Sequence, residues 1–223
     1  MDAAARERIQ RNLDETRRRI GQAAERSGRD PTSVRLVAVV KSVGLTEARY
    51  LLECGQTELA ENRVESARGK VGNVGEGVCW HMVGKVQRRK IPEVLDLFDR
   101  VDSVDRLSLA EALSNRCVEA KRTLPIHVQV NVVGEANKSG FGVNELPEAL
   151  TAIRNLPALR VEGLMTLAPQ TNDPETVRPV FSRLRELANE VGIEGLSMGM
   201  SDDFEVAIEE GATEVRIGST LFR

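Results

Sequence analysis

The chain contains few of the residues on which several classes of protein depend. Its three cysteines, Cys54, Cys79 and Cys117, lie far apart without a Cys-x-x-Cys pair, and it has only two histidines. This composition argues against a disulfide framework, a zinc site and a histidine-rich metal site, and it favours a reducing compartment. Aromatic residues make up only 3 % of the chain. The core must therefore be built from Leu, Val, Ile and Ala.

An excess of charge of one sign and a long hydrophobic segment are also missing. The formal net charge is −3, and no apolar segment approaches the length of a membrane span. We therefore expect no nucleic-acid partner and no membrane segment, and the charged N-terminus is unlike a signal peptide. The 223 residues, 41 % hydrophobic and 29 % charged, contain no evident linker. They predict one domain over 1–223 in a cytoplasmic protein that is a monomer or weak dimer.

What the sequence does contain is a regular alternation of strand and helix patterns. Eight apolar segments, mostly rich in β-branched residues, predict strands at 35–40, 57–61, 78–83, 98–102, 126–132, 160–167, 194–198 and 214–218. Strict alternation with eight strands predicts either a closed (β/α)8 barrel or a long open sheet. The chain lacks the G-x-G-x-x-G and P-loop motifs that would support a nucleotide-binding open sheet. We therefore expect a single α/β barrel of the TIM type.

The predicted helices have recognisable first and last residues. Residues 1–30 predict a helix that ends near Gly28 and Pro31, and 86–97 have a helical pattern. Side chains that can cap the start of a helix follow several strands, at Thr46, Asp105, Asn144, Asp173, Asp202 and Asp203. Only five residues follow the eighth strand. We expect the N-terminal helix to cover the outer wall where an eighth crossover helix would lie.

Lys41 follows the apolar segment Arg35-Leu-Val-Ala-Val-Val40 directly. An amine held partly out of water loses preference for its charged form and becomes a better nucleophile toward a carbonyl group, as Schiff-base chemistry requires. The alternative is a lysine that marks where the strand reaches solvent, and this segment alone favours the alternative.

The loops after the last two predicted strands suggest an anion site. Ser201 precedes a predicted helix, whose unpaired N–H groups favour an anion. Arg216 leads into Gly218 and Ser219, which offer close backbone approach, an amide and a hydroxyl. In a barrel of this type, phosphate commonly binds in these loops. A phosphate cradle facing a lysine suits a phosphorylated aldehyde, although a helix cap and a turn glycine would explain the same residues.

A family resemblance follows from motifs spread over roughly residues 5–222. The motifs are Lys41 after its strand, Glu61-Asn62-Arg63, Trp80-His81-Met-Val-Gly84, Lys138-Ser-Gly140, Gly163-Leu-Met165-Thr166, Ser197-Met-Gly-Met-Ser201-Asp-Asp-Phe204 and Arg216-Ile-Gly218. In these motifs the chain resembles the pyridoxal phosphate homeostasis proteins, also called the proline-synthase co-transcribed or YggS-like family. The resemblance implies a barrel similar to the N-terminal domain of alanine racemase.

The same resemblance implies a cofactor and a set of site residues. Lys41 would hold pyridoxal 5′-phosphate as an internal aldimine, and Arg216 would face the pyridine nitrogen. The phosphate would be bound by Ser201, Gly218 and Ser219, and the site would be lined by Asn62, His81 and Met198. Lys85 and Arg89 stand where the family usually has His and Asn. This difference leaves the role of Lys85 and Arg89 open. The role of Lys138 is also open, because an ordinary solvated lysine in a loop would explain it equally well.

Three functions fit these residues. The first is a protein of cofactor homeostasis that holds the aldehyde on Lys41 without turnover and passes it to apo-enzymes. The second is a racemase, which needs a second acid/base group opposite the lysine. His81 and Tyr50 are the residues weighed for that role, and the C-terminal domain that supplies it in alanine racemase is not expected here. The third function is a class I aldolase, which the Ser-Met-Gly-Met-Ser-Asp-Asp motif does not support.

Overall fold

The computed structural model describes residues 1–135 and 137–223 and contains a closed parallel barrel. Neighbouring strands pair in parallel in the order β4-β3-β2-β1-β9-β8-β7-β5, and β4 pairs with β5 to close the ring. The barrel strands are β1 (Arg35–Val39), β2 (Glu58–Glu61), β3 (Cys79–Met82), β4 (Arg100–Val104), β5 (Leu124–Asn131), β7 (Leu159–Met165), β8 (Gly195–Ser197) and β9 (Glu214–Ile217). The eight predicted strands and the barrel are confirmed. A short extra strand, β6 (Phe141–Gly142), pairs with the end of β5.

Helices surround the barrel. They are α1 (Ala3–Arg26), α2 (Leu45–Glu53), α3 (Val64–Arg68), α4 (Ile91–Leu97), α5 (Leu107–Glu119), α6 (Leu146–Arg154), α7 (Arg178–Glu190), α8 (Phe204–Glu209) and α9 (Ser219–Phe222). One-turn 3-10 segments lie at Pro31–Ser33, Arg88–Lys90 and Pro174–Val177. The core is mainly aliphatic, as the low aromatic content requires.

The predicted helix caps are only partly correct. The carboxylate of Asp173 accepts a hydrogen bond from the Glu175 amide, but the segment it caps is a 3-10 turn. Thr46, Asp105 and Asn144 do not cap their helices. The helix predicted after Thr46 already begins at Leu45, because the Glu47 carboxylate accepts from the Gly44 amide at 3.1 Å. Asp105 pairs with the guanidinium of Arg106 instead of the helix amides. The α6 helix follows Glu145 without a side-chain cap.

The long helix α1 packs on the part of the wall formed by α8 and α9. Its buried residues include Ile9, Leu13 and Ile20. The Asn12 amide donates to the Arg223 carbonyl oxygen at 2.8 Å, and Arg19 pairs with Glu205 at 2.6 Å. These contacts join α1 to α8 and to Arg223. Among the described residues, no helix is long and apolar enough to cross a membrane.

Candidate cofactor site

A cavity of about 710 Å³ opens at the carboxyl ends of the strands. It is lined by six of the eight residues predicted for the site, namely Lys41, Asn62, Ser201, Arg216, Gly218 and Ser219. Parallel strands in a closed barrel point their carboxyl ends at one mouth, so residues far apart in sequence meet there.

Lys41 lies at this mouth, and its side chain is exposed. The amine is therefore not partly buried, and the structure agrees with the alternative that the segment alone favoured, a lysine where the strand reaches solvent after the buried Val40. The backbone below Lys41 is held by a buried lysine: Lys70 donates to the Val40 carbonyl oxygen at 2.6 Å and pairs with Glu61. Since Glu61 precedes Asn62, one buried ion pair fixes the strand ends that carry Lys41 and Asn62.

Asn62 is held from the other side by Gly84. A Cβ atom at position 84 would overlap the carbonyl oxygen of Asn62, so only glycine permits this approach. The next residue, Lys85, is exposed and lines the cavity. Lys85 therefore adds a second amine to the mouth. Arg89 is exposed, and its Nε atom donates to the side-chain oxygen of Gln87 at 3.1 Å.

Ser201 lies where the loops after β8 and β9 meet. Its hydroxyl oxygen accepts from the amides of Gly218 and Thr220 at 3.4 and 3.5 Å. A Cβ atom at Gly218 would lie 3.2 Å from the Val39 carbonyl oxygen, so glycine keeps this loop close to β1. Asp203, one of the two residues predicted to open the following helix, is its N-cap, and its carboxylate accepts from the Met200 amide at 2.6 Å. The result is a group of backbone amides and one hydroxyl in the wall of the same cavity as Lys41.

Arg216 is buried on β9 and contributes to the cavity wall. Its guanidinium donates to the Ser197 hydroxyl at 2.6 Å and to the Thr166 carbonyl oxygen at 2.9 Å. Burial lowers the pKa of Arg216, although the charge of nearby Glu214 opposes this effect. Glu214 also accepts from the Ser197 hydroxyl at 2.8 Å. The guanidinium is thus held by two neutral acceptors, and the Ser197 hydroxyl connects it to the carboxylate of Glu214.

His81 and Met198 are not brought to the cavity. Met198 is fully buried in the core, and the ring of His81 lies between two carboxylates inside the barrel. Its Nδ1 atom is 2.6 Å from Asp102, and its Nε2 atom is 2.7 Å from Glu58. Burial opposes protonation, yet the Asp102 charge raises the pKa of His81 well above its usual value. His81 is therefore part of an internal ion cluster and does not line the site.

The cavity is also lined by Gln129 and Asn131, which are not among the eight predicted site residues. Gln129 donates to the Ser139 carbonyl oxygen at 2.9 Å, and Asn131 donates to the Glu135 carbonyl oxygen at the same distance. These bonds hold the loop that carries Lys138, whose amine pairs with Glu135. Segment 169–171 completes the wall. Along β5 the polar residues His127, Gln129 and Asn131 alternate with valines, which was the one available signal.

Comparison with known proteins gives the family. The sequence profile described as "Alanine racemase, N-terminal domain" matches residues 8–223. A "Pyridoxal phosphate homeostasis protein" of Pseudomonas aeruginosa is 40 % identical, with 96 % of this chain and 94 % of the relative covered. One of Aquifex aeolicus with the same name is 38 % identical, with 97 % and 96 % covered. This chain belongs to the pyridoxal phosphate homeostasis protein family.

Solved structures agree with this family and fold. PipY of Synechococcus elongatus PCC7942, solved with PLP bound, has a TM-score of 0.83 at 30 % identity, with 96 % of this chain and all of that chain covered. An alanine racemase of Clostridium difficile 630 has a TM-score of 0.77 at 14 % identity, and 96 % of this chain matches 56 % of that enzyme. The second likeness extends to the fold alone. The predicted resemblance and the alanine racemase-type barrel are confirmed.

Proposed function

We propose that this family member binds pyridoxal 5′-phosphate at the barrel mouth and serves cofactor homeostasis without catalytic turnover. The observation that carries the proposal is a single cavity with an accessible amine, Lys41, and an amide-rich group around Ser201. Relatives with the homeostasis name and the PLP-bound PipY structure support it.

The side chains of the cavity fit the chemistry of this cofactor. When bound, pyridoxal phosphate supplies an aldehyde, a phosphate and an electron-withdrawing ring. Lys41 would hold the aldehyde carbon as a Schiff base. The hydroxyls of Ser201 and Ser219 and the amides of Gly218 and Ser219 would bind the phosphate. Asn62 would contribute a polar side chain to the wall of the same cavity.

Arg216 is the residue that argues against strong carbanion chemistry. A cation facing the ring nitrogen keeps that nitrogen unprotonated, which weakens the ring as an electron sink. Ser197 and the Thr166 carbonyl oxygen hold the guanidinium in one orientation. Arg216 would therefore orient the ring while limiting its reactivity.

Neither of the two residues weighed as the second base of a racemase, His81 and Tyr50, is placed at the mouth. His81 lies in the barrel interior between Asp102 and Glu58. Tyr50 lies on the outer helix α2, where the Arg6 guanidinium covers its ring at 5.0 Å from the centroid. Neither residue lines the mouth cavity. The aldolase alternative has no support from the names of the relatives.

Exposure of Lys41 suits the release of cofactor to another protein. Because the amine is exposed at an open mouth, an incoming lysine of an apo-enzyme could approach the same carbon atom. We therefore propose apo pyridoxal enzymes as recipients, with the chain acting as a monomer or weak dimer in the cytoplasm.

Lys41→Ala tests the function directly. Purified wild-type protein incubated with pyridoxal phosphate should turn yellow, and borohydride reduction should trap one cofactor on Lys41, located by peptide mass spectrometry. We expect Lys41→Ala to lose the adduct, whereas Lys85→Ala, a control in the same cavity, should keep it. An adduct of unchanged yield and position in Lys41→Ala would contradict the assignment. Sustained interconversion of L- and D-alanine by the wild-type protein would contradict the absence of turnover.

A further inference from the structure

Three potential metal ligands lie together on two neighbouring strands, away from the mouth. Glu58 on β2 is paired in register with Cys79 on β3, and Ala60 is paired with His81. Side chains at positions i and i+2 of a strand share a face, so Cys79 and His81 point the same way as Glu58. One oxygen of Glu58, the Cys79 sulfur and one ring nitrogen of His81 all lie within 4.8 Å of one another.

We propose that Glu58, Cys79 and His81 form a site for a thiophilic divalent cation of the zinc class. A thiolate, an imidazole and a carboxylate are ligands that zinc accepts, whereas Mg²⁺ and Ca²⁺ prefer oxygen alone. The site has no Cys-x-x-Cys motif in the sequence, because Glu58 comes from a different strand and meets Cys79 and His81 only through the pairing of β2 with β3. The site does not depend on the cofactor function proposed for the mouth.

The ring of His81 has the second contact expected of a metal ligand. Its Nδ1 atom is 2.6 Å from Oδ2 of Asp102, while Oδ1 of Asp102 accepts from Arg100 at 2.8 Å. Histidines that bind metals usually donate their other ring nitrogen to a carboxylate, which fixes the ring and its tautomer. Asp102 therefore orients the ring so that Nε2 faces Glu58 and Cys79.

The three donor atoms already lie close together. The Nε2 atom of His81 is 2.7 Å from Oε2 of Glu58, and the Cys79 sulfur lies within 4.8 Å of a donor atom of each residue. A bound zinc ion would widen the N···O separation to about 3.3 Å, as tetrahedral bonds of about 2 Å require. Glu58 can make this movement, because its side chain is 25 % exposed.

The cluster also has a route to solvent. Glu58 borders a cavity of about 280 Å³ at the surface, and Cys79 is only partly buried. Arg35 contacts the other oxygen of Glu58 at 3.9 Å and has a half-exposed side chain that can turn away. A cation can therefore enter from this side and keep one water molecule as its fourth ligand.

Metal titration tests this site without any activity assay. The full-length protein is first dialysed against a chelator, and then Zn²⁺ is added in a calorimeter at pH 8 and pH 6. We expect one ion per chain and tighter binding at pH 8, because thiol and imidazole must lose protons to bind. Co²⁺ should give a thiolate-to-metal charge-transfer band and tetrahedral visible bands.

Variants locate the ion. Cys79→Ser should remove the charge-transfer band and weaken Zn²⁺ binding by more than about 100-fold, the upper range for outer partners of a metal site. Cys54→Ser is the matched control, since Cys54 is also partly buried but lies at the end of α2. Glu58→Gln provides a second test if Cys79→Ser does not fold, and it should weaken binding while retaining the band. Absence of stoichiometric binding by the wild-type protein, or equal loss in Cys54→Ser, would overturn the proposal.

Discussion

The mouth of the barrel and its interior hold charged residues in opposite ways. Lys41, Lys85 and Asp202 at the mouth have exposed side chains that water solvates. In the interior, Asp102 and His81 are fully buried, and each depends on neighbouring charges. Charges at the mouth are therefore available to a ligand at little cost in folding free energy. Charges in the interior stabilise the fold only as a complete set, because a buried ion without its partner is strongly destabilising.

The interior cluster lies toward the amino-terminal ends of the strands. Arg100 and Glu214 are the first residues of β4 and β9, and His127 lies between them on β5. The Arg100 guanidinium is 2.9 Å from Nε2 of His127 and 3.1 Å from Glu162. The same parallel barrel thus separates a reactive end from an end where ions neutralise one another.

Asp102→Ala should break the interior set and produce the largest effect. Asp102 contacts His81 at 2.6 Å and Arg100 at 2.8 Å, so its loss leaves two buried cations with one fewer partner. We expect the free energy of unfolding at pH 7 to fall by about 3–5 kcal/mol. Urea denaturation measures the change. Asp202→Ala at the mouth is the control, with an expected change below about 0.5 kcal/mol. Similar losses in both variants would contradict the contrast between the two ends.

Gly84→Ala should disturb the packing of the loops at the barrel mouth and leave the interior ion cluster intact. The added methyl group would overlap the Asn62 carbonyl oxygen and push apart the loops that carry Asn62 and Lys85. Overpacking of this kind costs about 1–3 kcal/mol of stability, and cofactor affinity should fall as well. Thermal unfolding and a pyridoxal phosphate titration measure the two effects. Gly69→Ala is the control, because nothing lies within 4 Å of its added Cβ atom. Wild-type stability and affinity in Gly84→Ala would disprove this close packing.

Much of the barrel follows from short-range sequence signals. Apolar β-branched segments predict all eight barrel strands, although β4 begins two residues later than expected because Phe98 ends the preceding helix. The helix caps at Thr46 and Asp105 were wrong because a glutamate or an arginine competes for the same groups. Such competition depends on geometry that a single sequence does not reveal.

The site was predictable where a residue's place follows from the end of a strand. Lys41, Asn62 and Arg216 reach the mouth because parallel strands bring their carboxyl ends together. His81 was misplaced because its side chain belongs to the interior layer, and a strand pattern alone does not say whether a buried histidine faces the mouth or an acidic partner. Glu61 and Lys70 were missed as a pair because their contact joins β2 to the segment after α3.

The pH dependence of stability should report the interior cluster through His127. Burial lowers the pKa of His127; nearby Asp102 and Glu214 oppose this shift, and Arg100 and His81 reinforce it. Because the unfolded chain binds a proton near pH 6.5 while folded His127 resists it, wild-type stability should fall as pH decreases below about 6.5. His127→Gln removes this titrating group. As the pH falls below about 6.5, the free energy of unfolding of the variant should therefore rise relative to that of the wild type by at most about 1.4 kcal/mol per pH unit. Urea denaturation between pH 5 and pH 8 measures the difference, and Asp202→Ala should follow the wild-type curve. A difference that instead grows as pH rises would mean that the folded protein favours the imidazolium form, and that the acidic neighbours of His127 outweigh its burial.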